Sequence, residues 1–481
     1  VSAVRNMEAV VEALLCTGCG ACAGICPEGA VTMAETPGGL LWPRVDNGRC
    51  THCGLCTAIC PGTHLEKGLL PAEADPFEGA VVAAYRGQAT DQHVLWSGAS
   101  GGVATAILLA ALDAELIQAA VVTGWRPDAP TRPLTLVTSD SEVVKAAQGS
   151  RYCPTPAMAE VMRALKPGTS LAFSGLPCHV HALRNAQRRV AALRDVTVYA
   201  VGLICEGVLS YHAAHYLVSR SGVDRSAVSH FAYRSKRWRG WPGDTLVCDA
   251  HGTEHWLPRE VRMGCKEAFR PPRCRLCFDK MNVLADVTLG DGYNLVTDEA
   301  GVSAVLVRTA QGARLIKCAT RAQAVQLEPV SPQSILQGQG IPRKRQEWAA
   351  YCQVWAEMGH QLPEHGVGER WHSTAPRASL RQARRHMEWS LLMAQCDSAK
   401  EFARGARRRL ARSRLAGALS PSHCSETARR LLGRAYRAAC ALSGSGRAEK
   451  TTAAQPDHHG AGDDAAHAGG AGPSKWTGGQ P

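Results

Sequence analysis

The sequence lacks any long apolar run. The longest candidate, Val103 to Leu112, falls well short of the ~20 apolar residues a membrane-crossing helix needs, so no membrane span is expected. No signal-peptide pattern opens the chain either. The 481 residues hold 20 cysteines. Disulfides would be the first reading in a short secreted chain, but without an export signal the expected compartment is reducing, the cytoplasm. Charge imbalance is also missing from most of the chain. The net charge is +12, yet Arg377 to Lys450 alone carries 17 Lys and Arg against 5 Asp and Glu. The remainder therefore sums to zero, and no nucleic-acid partner is expected.

What the chain does have is concentrated between Cys16 and Pro61. Cys16, Cys19, Cys22 and Cys26 follow C-x2-C-x2-C-x3-C before Pro27, and Cys50, Cys53, Cys56 and Cys60 repeat the pattern before Pro61. This is the spacing of a bacterial ferredoxin written twice: three thiolates wrap one 4Fe-4S cubane while the fourth reaches the other. One cluster is thus expected on Cys16, Cys19, Cys22 and Cys60, and the second on Cys50, Cys53, Cys56 and Cys26. Zinc sites pair C-x2-C knuckles or add histidine, which these runs fit poorly.

A chain of this length has room for two or three domains, so something larger is expected to use the electrons. The expected divisions are a ferredoxin module at 1–70, a basic helical region at 341–442, a disordered tail at 443–481 and, as the resemblance described below implies, a second domain in two parts at 71–164 and 165–340. Residues 1–15 read as a short amphipathic helix, and Gly62 to Glu78 as a linker. The basic helices are expected to form a solvated face or to dock an acidic partner.

From Ala80 the texture becomes α/β. SGASGGVATAILLAALDAEL (Ser97 to Leu116) is a Gly-rich turn opening a helix. Backbone N–H groups at such a turn approach an anion closely, although glycine and serine also serve simply as caps. Gly149-Ser150-Arg151-Tyr152 is a second polar turn. LAFSGLPC (Leu171 to Cys178) and VTVYAVGLIC (Val196 to Cys205) each read as a buried strand ending in a loop with one cysteine. Strand carboxyl ends share one edge in an α/β sheet, which brings Cys178 and Cys205 together. With Cys274 and Cys277 of PPRCRLCFDK they make four thiols, enough for a third cubane, a four-cysteine zinc site, a redox-active pair or plain structural packing. Cys265 is a substitute ligand. His179 and His181 read as hydrogen-bonding residues rather than ligands. FAYRSKRWRGWPGD (Phe231 to Asp244) interleaves cations and aromatics, which suits nucleic acid only thinly, a planar cofactor with acidic tails, or simply a strand with exposed charges.

The order of these motifs, from the double cysteine run through W-S-G-A-S-G-G, G-S-R-Y, S-G-L-P-C-H, G-L-I-C-E-G and Y-R-S-K-R-W-R-G to C-R-L-C-F-D and A-D-V-T-L-G-D, resembles the coenzyme F420 hydrogenase/dehydrogenase beta-subunit family. That family also includes 7-hydroxymethyl chlorophyll a reductase. The resemblance runs from about Cys16 to about Ala310. It implies an α/β flavoprotein domain with a fused small α+β ferredoxin-like double-cluster domain and a helical, disordered C-terminal extension. It further implies an oxidoreductase using FAD and a third 4Fe-4S cluster on Cys178, Cys205, Cys274 and Cys277. Ser100, Gly101, Gly102 and Thr105 would line the FAD, with Ser150, Arg151 and Tyr152 nearby, and Arg234 and Lys236 would contact cofactor or substrate phosphate. Coenzyme F420 is the implied small-molecule substrate, and the implied partner is a ferredoxin-type, hydrogenase-type or reductase-type protein. A ferredoxin-dependent reductase of another organic molecule fits the same motifs. The chain departs from many relatives after Gly290-Asp291, with Gly-Tyr-Asn in place of Pro-Trp.

Overall fold

The computed structural model describes residues 6–408, apart from 297, 369–374, 399, 403, 406 and 407. The tail expected at 443–481 and the basic region beyond 408 lie outside the described residues. Among the described residues no helix is long and apolar enough to cross a membrane.

Helix Met7–Glu12 opens the module that carries the two cysteine runs; the Asn6 side chain accepts from Glu8 N–H, and Met7 and Val10 are buried. Strands β1 (Val31–Glu35) and β2 (Leu41–Val45) pair antiparallel, Val31 opposite Val45, around the stretch that holds Pro37-Gly38-Gly39. Each cysteine run is built alike. Gly20 and Gly54 take φ +84° and +75°, the left-handed region that glycine enters without strain, and start the short helices Ala21–Ile25 and Leu55–Ala58. Those helices carry the third cysteine of each run.

The larger body is built on β3 (Ala83–Ala89), β4 (Ala119–Arg126), β5 (Ala129–Thr138), β6 (Ser170–Gly175) and β7 (Thr197–Leu203). A three-stranded antiparallel sheet follows, made of β8 (Val228–Ser235), β9 (Asp244–Asp249) and β10 (Glu254–Leu257). The chain then returns through β11 (Val287–Asp291), β12 (Ser303–Val307) and β13 (Val325–Pro329). Eight of these strands form one sheet in the order β13-β3-β12-β11-β7-β6-β4-β5. Its centre, β4, β6, β7 and β11, is parallel, and both flanks are antiparallel. The sheet is mixed because β4–β5 and β11–β12 are joined by stretches without a helix, and short connections return a strand antiparallel. Central strands such as β7 and β12 are continuous apolar runs because they are covered on both faces.

Parallel pairing of β6 with β7 sets Gly175 against Gly202. The segments that follow both strands therefore emerge at one edge. Helix Pro177–Arg189 starts there, its proline in the first turn where no N–H is needed.

Two expectations change on folding. The stretch 62–78 is a packed connection: Leu65, Leu70 and Phe77 are buried, and Asn185 accepts from Glu66 N–H and donates to the Ile59 and His64 carbonyls. In the basic region, helix Arg377–Gln395 buries Ala383, Met387, Trp389, Ser390 and Met393, so one of its faces is core rather than solvated. Arg275, fully buried, donates to Ser390 Oγ at 2.6 Å.

Candidate functional site

The eight cysteines of the two runs sort into two groups. Cys26, Cys50, Cys53 and Cys56 line one cavity of about 390 Å³ together with Pro27 and His52. The fourth cysteine of the first run thus sits with the first three of the second. Burial and the neighbouring thiols of Cys53, Cys26 and Cys50 raise the Cys56 pKa. Cys16, Cys19, Cys22 and Cys60 make the other group and are all buried. Burial pushes Cys60 up to about 11, with Cys19 adding to it, and Cys16 is raised by burial and by Cys60. Cys56 packs against the same apolar cluster as Cys22 and adds to the raised Cys22 pKa. Cys53 is exposed.

A third group gathers at the sheet edge. Cys178 lies in the first turn of helix Pro177–Arg189, Cys205 follows β7, Cys274 is in helix Pro272–Arg275 and Cys277 comes just after it. All four line one cavity of about 640 Å³, shared with Thr17, Pro61, Arg273 and Lys344. Burial raises the Cys178 pKa well above its ordinary value, and the thiols around it, Cys19, Cys205, Cys274 and Cys277, add to the rise. Burial pushes Cys205 to about 12, helped by Cys274. Metal coordination deprotonates such thiols outright. Cys265 is buried elsewhere, with its thiol donating to the Arg262 carbonyl. His179 Nδ1 accepts from Leu176 N–H, and His181 pairs with buried Asp279 at 2.8 Å, as hydrogen-bonding residues do.

The glycine turn is the second centre. Gly102, at φ +75°, caps helix Val103–Asp113 without any side-chain hydrogen bond to the first turn, which leaves backbone donors there for a ligand. A Cβ on Gly101 would stand 2.3 Å from the Gly87 carbonyl and 2.7 Å from Ser303 N. Ser100 Oγ is 2.9 Å from Ser303 Oγ, and Thr105 sits half-buried in the first turn.

Behind the turn stand Lys236 and Arg234. Lys236 Nζ donates to the carbonyls of Leu95 (2.6 Å), Ser100 (2.8 Å) and Ala300 (2.6 Å). Burial brings its pKa down to about 8, with Arg234 contributing. Arg234 donates to the Pro242 and Ala99 carbonyls, to Tyr152 Oη and to both oxygens of Asp291. Three lysine donors and five guanidinium donors are therefore all taken. These two cations hold the turn in position. Arg151 donates to the Ala147 and Gly149 carbonyls and lies over Trp125, and Ser150 is half-buried beside it. Burial opposes ionisation of Tyr152, but Arg234 and Arg262 draw its pKa below the ordinary value.

Asp291 went unassigned in the sequence. Its carboxylate joins Arg234 and also accepts from Trp241 Nε1 at 3.0 Å. Burial alone would raise its pKa, but Arg234 holds it below the usual range. Trp241 and Tyr293 pack 5.5 Å apart beside it. The Gly-Asp ending of β11 was the available signal.

Comparison with known proteins agrees with this layout. A model for a 4Fe-4S dicluster domain matches residues 15–63. Models for the N-terminal and C-terminal parts of the coenzyme F420 hydrogenase/dehydrogenase beta subunit match 84–162 and 168–333, together about half of the chain. The coenzyme F420 hydrogenase subunit beta of Methanosarcina barkeri is 26% identical over 243 residues, 50% of this chain and 78% of that one. Its counterpart in Methanothermobacter thermautotrophicus is 26% identical over 269 residues, 53% of this chain and 87% of that one. A coenzyme F420-dependent sulfite reductase of Methanocaldococcus jannaschii is 24% identical over 340 residues, 68% of this chain and 49% of that one. The chain is therefore an oxidoreductase of the coenzyme F420 hydrogenase/dehydrogenase beta-subunit family, carrying its own 4Fe-4S dicluster domain.

Proposed function

We propose that the chain is an FAD-dependent iron-sulfur oxidoreductase, working in the cytoplasm, that passes electrons between reduced coenzyme F420 and ferredoxin-type one-electron carriers. The observation that carries this reading is the sequence of thiol groups in space: Cys178 beside Cys19, Cys22 beside Cys56, and Cys53 exposed. Each group of four would hold one 4Fe-4S cluster. The first is Cys16, Cys19, Cys22 and Cys60, the second Cys26, Cys50, Cys53 and Cys56, and the third Cys178, Cys205, Cys274 and Cys277. Soft thiolate sets favour clusters, and a cubane spreads its sulfurs over four irons.

Ser100, Gly101, Gly102 and Thr105 would carry the FAD, with Ser150, Arg151 and Tyr152 adjoining. The uncapped first turn of helix Val103–Asp113 supplies donors for its pyrophosphate. When bound, FAD exchanges a hydride with an organic partner and releases electrons singly. The chain's own contribution is positional. Lys236 and Arg234 lock the turn, Asp291 compensates the buried guanidinium, and Trp241 and Tyr293 provide an aromatic wall. The exposed second set at Cys53 is where a partner protein would exchange electrons.

The test is anaerobic purification followed by assay with F420. The reading expects bound FAD and reversible bleaching of F420 coupled to a one-electron dye. Bound FAD and iron with no F420 turnover would transfer the chain to ferredoxin-driven reduction of another organic substrate.

A further inference from the structure

Arg273 precedes Cys274 on helix Pro272–Arg275 and is only 3% exposed. Its Nε donates to the Gly62 carbonyl at 2.8 Å, and its Nη2 to the Pro61 carbonyl and His365 Nε2, both at 3.0 Å. Gly62 lies against Cys60 in turn: a Cβ there would stand 3.3 Å from the Cys60 sulfur. Among the described residues Arg273 forms no ion pair with a carboxylate; the neighbouring Glu267 pairs instead with Arg270 and Arg275. His365 offers no charge, since burial and Arg273 itself keep it neutral.

A guanidinium buried without a counter-charge is costly. Here the groups nearest to it are thiols of two separate sets. Its charge bears on Cys16 and Cys60 on one side and on Cys277 on the other, and it lines the cavity of the third set. Iron-sulfur clusters with four thiolates are anionic, and nearby charge is one of the levers that set their potentials. We infer that Arg273 is a positioning residue shared by two clusters, fixing the Pro61-Gly62 backbone behind Cys60 and raising the reduction potential of both the first and the third cluster. This rests on the cluster reading above. Lys344 bears on Cys205 and Cys277 and lines the cavity of the third set, so its influence falls on the third cluster.

The experiment is an EPR-monitored redox titration of the full chain, with iron and flavin counted first. Arg273→Met removes the charge at similar bulk. Arg273→Gln, which keeps a donor for the backbone, takes its place if the first variant does not retain its clusters. The expected result is a fall in the midpoints of the first and third clusters, by about tenfold in the one-electron equilibrium or ~59 mV. The second cluster stays put, Arg273→Lys recovers most of the change, and Lys344→Met moves the third cluster alone. With about twelve irons in the unaltered protein and unmoved midpoints, or with all three clusters shifting together, the role of Arg273 is overturned while the cluster reading stands. About eight irons in the unaltered protein would remove the third cluster, and the shared role with it.

Discussion

Cys178 lies beside Cys19, although one opens a helix at the sheet edge and the other sits in the first cysteine run. Their closeness makes the third thiol set and the first neighbours, with no other redox group needed between them. Replacing Cys277 with serine should lower the iron content from about twelve to about eight per chain and remove one EPR signal, while the two clusters of the N-terminal module persist. Iron and sulfide analysis of the variant checks this; unchanged iron would take Cys277 out of any cluster.

Asp291 and Arg234 form a buried forked pair, and the cost of breaking it depends on which partner goes. Asp291→Ala leaves the guanidinium without its counter-charge and should cost about 3–5 kcal/mol. The double variant Asp291→Leu with Arg234→Met should recover much of that stability yet still lose FAD, because the Ala99 carbonyl is no longer held. Chemical denaturation and released flavin, measured on the same samples, separate the two effects.

Acid should weaken the fold well before its carboxylates titrate. Burial and Arg275 hold His386 down to about 4, and burial and Arg225 hold His215 to about 3, against an ordinary 6.5. Below 6.5 the unfolded chain takes up protons that the folded chain refuses. Stability is therefore full above that pH and falls as the pH drops toward 4, by at most about 2 kcal/mol per histidine at pH 5. His386→Gln, which still accepts from Tyr351 Oη, should flatten its share of this dependence. Thermal midpoints at about pH 7 and about pH 5 provide the comparison, and identical slopes for both proteins would refute it.

Much of this was legible in the sequence because it is local. Cysteine spacing dictates which thiols can wrap one site, and the apolar runs before Cys178 and Cys205 predict two strands ending at one edge. What was not legible depends on partners far away in the chain. Composition counts Arg234 and Lys236 as available cations, whereas eight carbonyl, hydroxyl and carboxylate contacts from five stretches of chain use up their donors. The prolines around 62–78 suggested a loose connection and concealed three buried apolar residues. In helix Arg377–Gln395 the density of arginine masked the stripe from Ala383 to Met393 that packs inward.

The grip of Asn185 and Arg273 on residues 59–66 has a kinetic side. A ferredoxin that diffuses must find its enzyme, dock and leave, so its turnover varies with concentration and salt. Here the carrier is clamped to the body by backbone hydrogen bonds on both sides of its last cysteine. With the function proposed above, hand-over between the body and the module would be a first-order event, indifferent to protein concentration and ionic strength, and only the exchange at Cys53 would remain a matter of encounter.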